Sequence, residues 1–305
     1  MNIIKRSTIV AATLAGIVAV AAAPASAIVG GQDATQTYTG MAAMSVLLPG
    51  EGTAQCGASL IAPRWLLTAA HCVSDDAAAP TPVAVPAAHI TARIGSNDRT
   101  TGGQEATGER VFLHPDWMWG EDTGKPVSDL ALVELAKPVW MPTMLLGAHV
   151  PGDAGPVRLI GWGLTAYPPA DGTTIPVTLQ QRDTTRLPAS FCAGGFIGAG
   201  EMCVSGGACF GDSGGPALRQ LSGSHLSRYP VVWSSVGIAS RETNEDTPCG
   251  APSVYTDITY EPFRMWILTT MIHPQVQPCT CPPRQAPAAT STTRMKQQFA
   301  PAIVR

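Results

Sequence analysis

The sequence predicts an all-β protein whose strands close into a barrel or pack as a sandwich. Two observations carry this. The apolar runs are short, rich in β-branched residues and closely punctuated by Gly, Pro, Asn and Asp, as in Met44–Leu48, Ser59–Ile61, Val111–Leu113, Leu130–Leu135, Val157–Ile160 and Val231–Ile238. Charged residues are only 13% of the 305-residue chain, against 31 Gly and 27 Pro, which suits a loop-rich β protein better than a helical one. No strand alternates with a long helical pattern, which argues against a parallel α/β sheet. There is no internal repeat of fixed period.

One helix is expected near the end of the body. Pro262 suits a first helical turn, and Phe263, Trp266, Ile267 and Met271 then recur at three- and four-residue spacing to form one apolar face. This helix is expected to pack on the body and carry no chemistry.

The first 27 residues read as an export signal. Lys5 and Arg6 form a charged start, Ile9 to Ala23 is a short apolar run, and Ala25-Ser26-Ala27 is a small-x-small cleavage site. The run is too short to span a bilayer, which takes about 20 apolar residues, so no membrane span is expected and the protein is expected to be secreted. From Pro274 to Arg305 the composition changes to six prolines, four basic residues and no acids, which reads as a disordered or extended tail. The expected organisation is therefore a signal peptide over 1–27, one folded unit over 28–273 and a Pro-rich tail over 274–305.

Export makes the eight cysteines disulfide formers rather than metal ligands. None sits in a CxxC pair, and no Cys/His cluster has zinc spacing, so neither metal nor cofactor is expected. A net charge of −3 gives no reason to expect nucleic acid or an anionic membrane as partner.

Three short segments carry chemistry. A hydroxyl is a poor nucleophile at neutral pH and needs a base beside it, which needs an orienting partner in turn. Gly211-Asp212-Ser213-Gly214-Gly215-Pro216 suits an exposed, tightly turned serine, because flanking glycines let the backbone come close to a substrate. Leu67-Thr68-Ala69-Ala70-His71-Cys72 supplies a histidine. Ser128-Asp129, opening the apolar run Leu130–Leu135, supplies an aspartate. Alone, each has an ordinary structural reading: a glycine-rich loop, a histidine beside a cysteine, a turn residue. Together, in the order His, Asp, Ser, they are poorly explained that way.

These segments resemble those of the chymotrypsin–trypsin family of serine peptidases. The resemblance runs from Ile28 to about Ile272 and includes Ile28-Val29-Gly30-Gly31, Gly161-Trp162-Gly163 and Val254-Tyr255-Thr256. It implies two antiparallel six-stranded β-barrels, with a boundary near 145–155 and a C-terminal helix. It implies a serine endopeptidase with His71, Asp129 and Ser213 as catalytic triad, and backbone N–H groups of Gly211 and Ser213 as oxyanion hole. It implies the disulfides Cys56–Cys72, Cys192–Cys203 and Cys209–Cys249. That leaves Cys279 and Cys281, which bond to each other, to the body or to another chain. It also implies that a free Ile28 amine pairs with Asp212 to order the oxyanion hole. Because Ala25-Ser26-Ala27 abuts Ile28, the export cut itself would release that amine; an earlier cut leaving a short propeptide is the alternative.

The resemblance places Gly207 at the base of the primary specificity pocket, beside Ala208, with Ser240, Arg241, Glu242 and Ser253 on its walls. No carboxylate stands at the base, so ordinary Lys/Arg specificity is not expected. Side chains at Glu242 and Ser253 would narrow a pocket that glycines leave open, favouring a small or medium uncharged residue before the scissile bond. Alternatively Glu242 turns inward as a displaced negative charge, or points to solvent. The expected partners are protein or peptide substrates and protein inhibitors, met by a monomer. The competing reading is a catalytically silent homologue acting as a binding or adhesion protein, in which Arg241 and Glu242 block substrate with the triad intact.

Overall fold

The computed structural model describes residues 28–48, 52–74, 82–118, 128–148, 155–169, 175–221, 232–244 and 246–274, and the backbone of 302–304. The segment 1–27 expected to be an export signal, Cys279 and Cys281 lie outside them. The first strands are β1 (Gln32–Asp33), β2 (Met41–Leu48), β3 (Gly52–Ala62), β4 (Trp65–Thr68), β5 (Ile90–Ile94), β6 (Gln104–Leu113) and β7 (Ala131–Leu135). They are followed by β8 (Leu145–Leu146), β9 (Gly155–Gly161), β10 (Gln180–Leu187), β11 (Glu201–Val204), β12 (Pro216–Gln220), β13 (Trp233–Glu242) and β14 (Ser253–Asp257). Helix α1 (Glu261–Ile272) and strand β15 (Ala302–Val304) complete the set. All six apolar runs named from the sequence fall within these strands, apart from their flanking residues.

Each half closes into a ring of six antiparallel strands. The first runs β3-β2-β5-β6-β7-β4 and closes through β3–β4 pairing; the second runs β10-β11-β14-β13-β12-β9 and closes through β9–β10. Closure gives every strand of each ring a partner on both sides, although β4 meets β3 only from Ser59 to Ala62. The reason lies in the residues: β7 is buried at all five positions, and β13 at nine of its ten, so both must be covered on two faces. Glu134, the one charge in β7, is taken by two guanidinium groups, with Arg64 at 3.3 Å and the Arg110 Nε at 2.6 Å. Register shifts recur where strands bend, and the one between Ala239 and Arg241 leaves Ser240 unpaired in the β13–β14 ladder.

Helix α1 follows the second ring but packs its apolar face, Phe263 and Ile267 with Trp266 and Met271 at its sides, into the core of the first. His114, from the turn after β6, meets Phe263 and Trp266 edge-on at centroid distances of 5.1 and 5.0 Å. The expected C-terminal extension is not wholly separate: β15 pairs antiparallel with β3.

Burial, only partly offset by Asp116, pulls the His114 imidazole down to about 4. Its Nδ1 accepts the Asp116 N–H at 3.2 Å, which fits the neutral ring. Between the unfolded value of 6.5 and about 4, the unfolded chain binds a proton that the folded chain refuses. Stability is therefore fully present above pH 6.5 and falls as pH drops through that window, by at most roughly 3 kcal/mol. We expect His114→Phe to lose distinctly less stability than the parent between pH 7 and pH 4.5, read from urea unfolding at each pH.

Candidate active site

Ser213 sits in a loop locked from both rings. Its carbonyl accepts the Gly57 N–H of β3 at 2.7 Å, Gly214 N–H donates to Ala239 at 2.9 Å, and Ala239 N–H donates back to Gly215 at 2.9 Å. The approach is too close for a side chain at Gly214: a Cβ would stand 2.4 Å from the Gly57 carbonyl and clash with Thr68, and φ there is +73°. Ser213 itself is fully buried in its loop.

His71 lies in a short 3-10 turn (Ala70–Cys72) that continues β4. Asp129 stands two residues before the start of β7 and is fully buried. β4 and β7 are paired neighbours, with Thr68 opposite Ala131, so the two residues meet at one end of the same ribbon. The Asp129 Oδ1 accepts the His71 backbone N–H at 2.9 Å, and Oδ2 lies 2.8 Å from the His71 Nδ1. From the second ring, the Ser240 hydroxyl donates to Oδ2 at 2.6 Å and the Thr256 hydroxyl donates to the Asp129 carbonyl at 2.9 Å. Burial alone would push this carboxyl up; the His71 charge and these donors outweigh it and hold Asp129 below the usual carboxylate range.

Three disulfides tie these pieces together. Cys56–Cys72 joins β3 to the residue after His71, Cys209–Cys249 anchors the serine loop, and Cys192–Cys203 closes the turn before β11. Cys56, His71 and Cys72 bring their sulfur and nitrogen atoms within 4.8 Å of one another, but the disulfide leaves no thiolate for a metal.

Asp212, beside Ser213, turns into the protein. Its carboxylate accepts N–H bonds from Gly163 at 2.8 Å and Cys209 at 3.0 Å. The Gly161-Trp162-Gly163 segment is glycine on both sides because a Cβ at either position would overlap this carboxylate. Burial raises Asp212 to about 7, and the two N–H donors only partly oppose it. Ile28 is 1% exposed in the core of the second ring, and Val29 N–H donates to the Gly207 carbonyl at 2.8 Å. The Phe210 carbonyl accepts the Leu164 N–H at 2.8 Å, which fixes the plane of the peptide joining it to Gly211.

The Trypsin family profile matches residues 28–267. The chain belongs to the trypsin family. It is 29% identical to human kallikrein-7 over 231 residues, covering 71% of this chain and 77% of that protein. It is 28% identical to ovochymase of Halocynthia roretzi over 240 residues, covering 70% of this chain and 13% of that longer protein. As a trypsin-family chain it has the two six-stranded barrels of that fold, and hydrogen bonds from both barrels reach the Asp129 and Ser213 segments.

The residues expected from the sequence to line a specificity pocket are placed as follows. Gly207 stands at φ +128°, with Arg182 of β10 packed so that a Cβ at 207 would lie 3.0 Å from its guanidinium nitrogen. Arg182 also donates to the Val29 carbonyl. Ala208 is buried with Ile28. Glu242 faces Ser253 in the β13–β14 register, and both are buried, so the solvent-facing orientation of Glu242 does not occur. Arg241 makes a bidentate pair with Glu201 at 2.6 and 2.7 Å and donates to the carbonyls of Gly195 and Phe196.

Sequence reasoning missed Arg182, Glu201 and Gly57, and it named Thr256 only as part of a motif, without its bond to Asp129. None is marked by local spacing, since each becomes a site neighbour only through strand pairing. Arg182 and Glu201 look like ordinary surface charges in the sequence.

The Glu201 side chain is fully buried and that of Arg241 nearly so. Removing one partner of such a pair strands a charge, typically at a cost of about 3–5 kcal/mol. We expect Arg241→Met to lower the denaturation midpoint markedly, and Arg241→Met with Glu201→Leu to recover most of the loss, measured by guanidinium unfolding.

Proposed function

We propose that this trypsin-family chain is a secreted serine endopeptidase with His71, Asp129 and Ser213 as its triad. The observation that supports it most is the Asp129 carboxylate, buried and ionised, oriented by Ser240 and bonded to the His71 ring. Ser213 Oγ would attack the scissile carbonyl while His71 Nε2 takes its proton, and the resulting oxyanion would lie against the N–H groups of Gly211 and Ser213. Collapse expels the amine, which leaves with the proton held by His71. Water then enters by the same route and hydrolyses the acyl-enzyme. Asp129 holds the imidazole tautomer and stabilises the imidazolium throughout. An oxyanion-hole donor typically contributes about 3–4 kcal/mol to such a transition state.

The substrate is a protein or peptide. With no carboxylate at Gly207 and with Glu242 and Ser253 filling the walls, a small or medium uncharged residue before the scissile bond fits best. The export-type segment 1–27 and the three disulfides support secretion into an oxidising compartment.

Activation follows from Ile28. As an internal residue it holds φ at +62°, a strained value for a β-branched side chain. A cut before Ile28 would remove the preceding peptide that creates the strain and supply an amine to Asp212. While Ile28 is internal, Asp212 keeps its proton up to about pH 7, against 3.8 for a free carboxyl. The contribution of Asp212 to the stability of the uncut chain, roughly 4 kcal/mol, should therefore be lost as pH rises from about 4 to 7, opposite in sign to the contribution of His114 over that window.

Two measurements check this. Secreted protein starting at Ile28 should be labelled by a fluorophosphonate at Ser213, and Ser213→Ala should not; folded but unlabelled protein would instead favour the silent binding homologue. Asp212→Asn should act with opposite sign on the two forms: it should stabilise the uncut chain at pH 8, and abolish most activity of the chain starting at Ile28 by removing the partner of its amine.

A further inference from the structure

We propose that the C-terminal segment Ala302–Val304 is a built-in occupant of the peptide-docking edge beside the nucleophile, competing there with the portion of a substrate that follows the scissile bond. This rests on the endopeptidase reading above. The edge in question belongs to β3. One side of that strand is paired with β2 over its length from Gly52 to Ser59, while on the other side β4 covers only Ser59 to Ala62. The remaining stretch of that second side is where β15 pairs, with Ala302 opposite Gln55, Ile303 opposite Ala54 and Val304 opposite Thr53.

This stretch of β3 leads straight into the candidate active site. Cys56, the next residue, is disulfide-bonded to Cys72, which adjoins His71. Gly57, one further on, donates its N–H to the Ser213 carbonyl. An extended peptide added to this edge therefore lies against the nucleophile loop, held by main-chain hydrogen bonds that any sequence supplies.

The polarity of the pairing identifies what the tail imitates. β3 runs from Thr53 towards Ser213, and β15 runs antiparallel to it, so Ala302 is nearest the nucleophile and the chain recedes from it towards Val304. The leaving half of a cleaved peptide has the same sense, with its first residue at the nucleophile and its later residues receding. Ala302-Ile303-Val304 is uncharged and ends in two β-branched residues, which suits an added strand. Residues 275–301 join the segment to the body, and at about 3.3–3.6 Å per residue they have ample reach. A tethered segment competes at an effective concentration on the order of millimolar, so even a weak three-residue strand is an effective competitor.

The test compares the chain starting at Ile28 with a version ending at Gln298 and with Ile303→Pro, which removes the central N–H of the added strand. For peptides extending several residues past the scissile bond, both changes should lower KM by roughly threefold or more, with kcat little changed. For a substrate whose leaving group is a single chromophore, KM should stay the same. A synthetic Phe-Ala-Pro-Ala-Ile-Val-Arg peptide added to the truncated chain should restore the higher KM competitively. An unchanged KM for long peptides, or an equal change for both substrate types, overturns the proposal. Fluorophosphonate labelling of Ser213 keeps the two readings apart. If labelling fails, the endopeptidase reading falls, and anisotropy of the labelled synthetic peptide with the truncated chain decides the docking: saturable binding with amide protection at 53–55 supports it, and no binding overturns it.

Discussion

The architecture around the cleft depends on one buried anion. Asp129 has no access to solvent, and its ionised form survives only because donors from both barrels converge on it. His71 contributes its ring and backbone N–H from the first barrel; Ser240 contributes a hydroxyl from the second. Take away the second barrel and a fully desolvated carboxylate loses a charge-assisted hydrogen bond, which typically contributes about 1.5–3 kcal/mol. The β13–β14 register shift acquires its purpose here, since it frees Ser240 from the ladder and leaves its hydroxyl available to Asp129.

A second buried carboxylate, next to Ser213 in the chain, meets the opposite fate. Asp212 has two backbone N–H donors but no cation among the described residues, and burial carries it up to about 7. The difference between the two aspartates is a difference in partners, not in burial. It makes Asp129 a permanent charge and Asp212 a charge waiting for a counterion. The glycines on either side of Trp162 exist because the Asp212 carboxylate occupies the volume their side chains would need. A motif that looks like punctuation in the sequence is, in three dimensions, the socket of an aspartate.

The segment around Arg241 shows how the second barrel absorbs a buried charge. The Arg241 guanidinium is saturated by Glu201 and two backbone carbonyls. The same economy covers the exposed edge of β3, where the chain's own end supplies the missing strand. Both arrangements join residues far apart in sequence through complementary hydrogen bonding.

Sequence alone determined whatever is encoded in contiguous residues. The short, closely punctuated apolar runs specified strands, because a strand's burial depends on its own side chains; the Pro262 start and the spacing of Phe263, Trp266, Ile267 and Met271 specified α1 for the same reason. The segments holding His71, Asp129, Ser213 and Gly161-Trp162-Gly163 were legible because the close backbone approaches they serve permit few residue types. Tertiary structure alone decided which distant groups share a hydrogen bond. The Arg241–Glu201 pair spans 40 residues, Arg182 reaches Val29 across 153, and β15 lies against β3 from the far end of the chain. Such pairings follow from barrel closure and strand register, which set distances between segments that leave no trace in the spacing of either one.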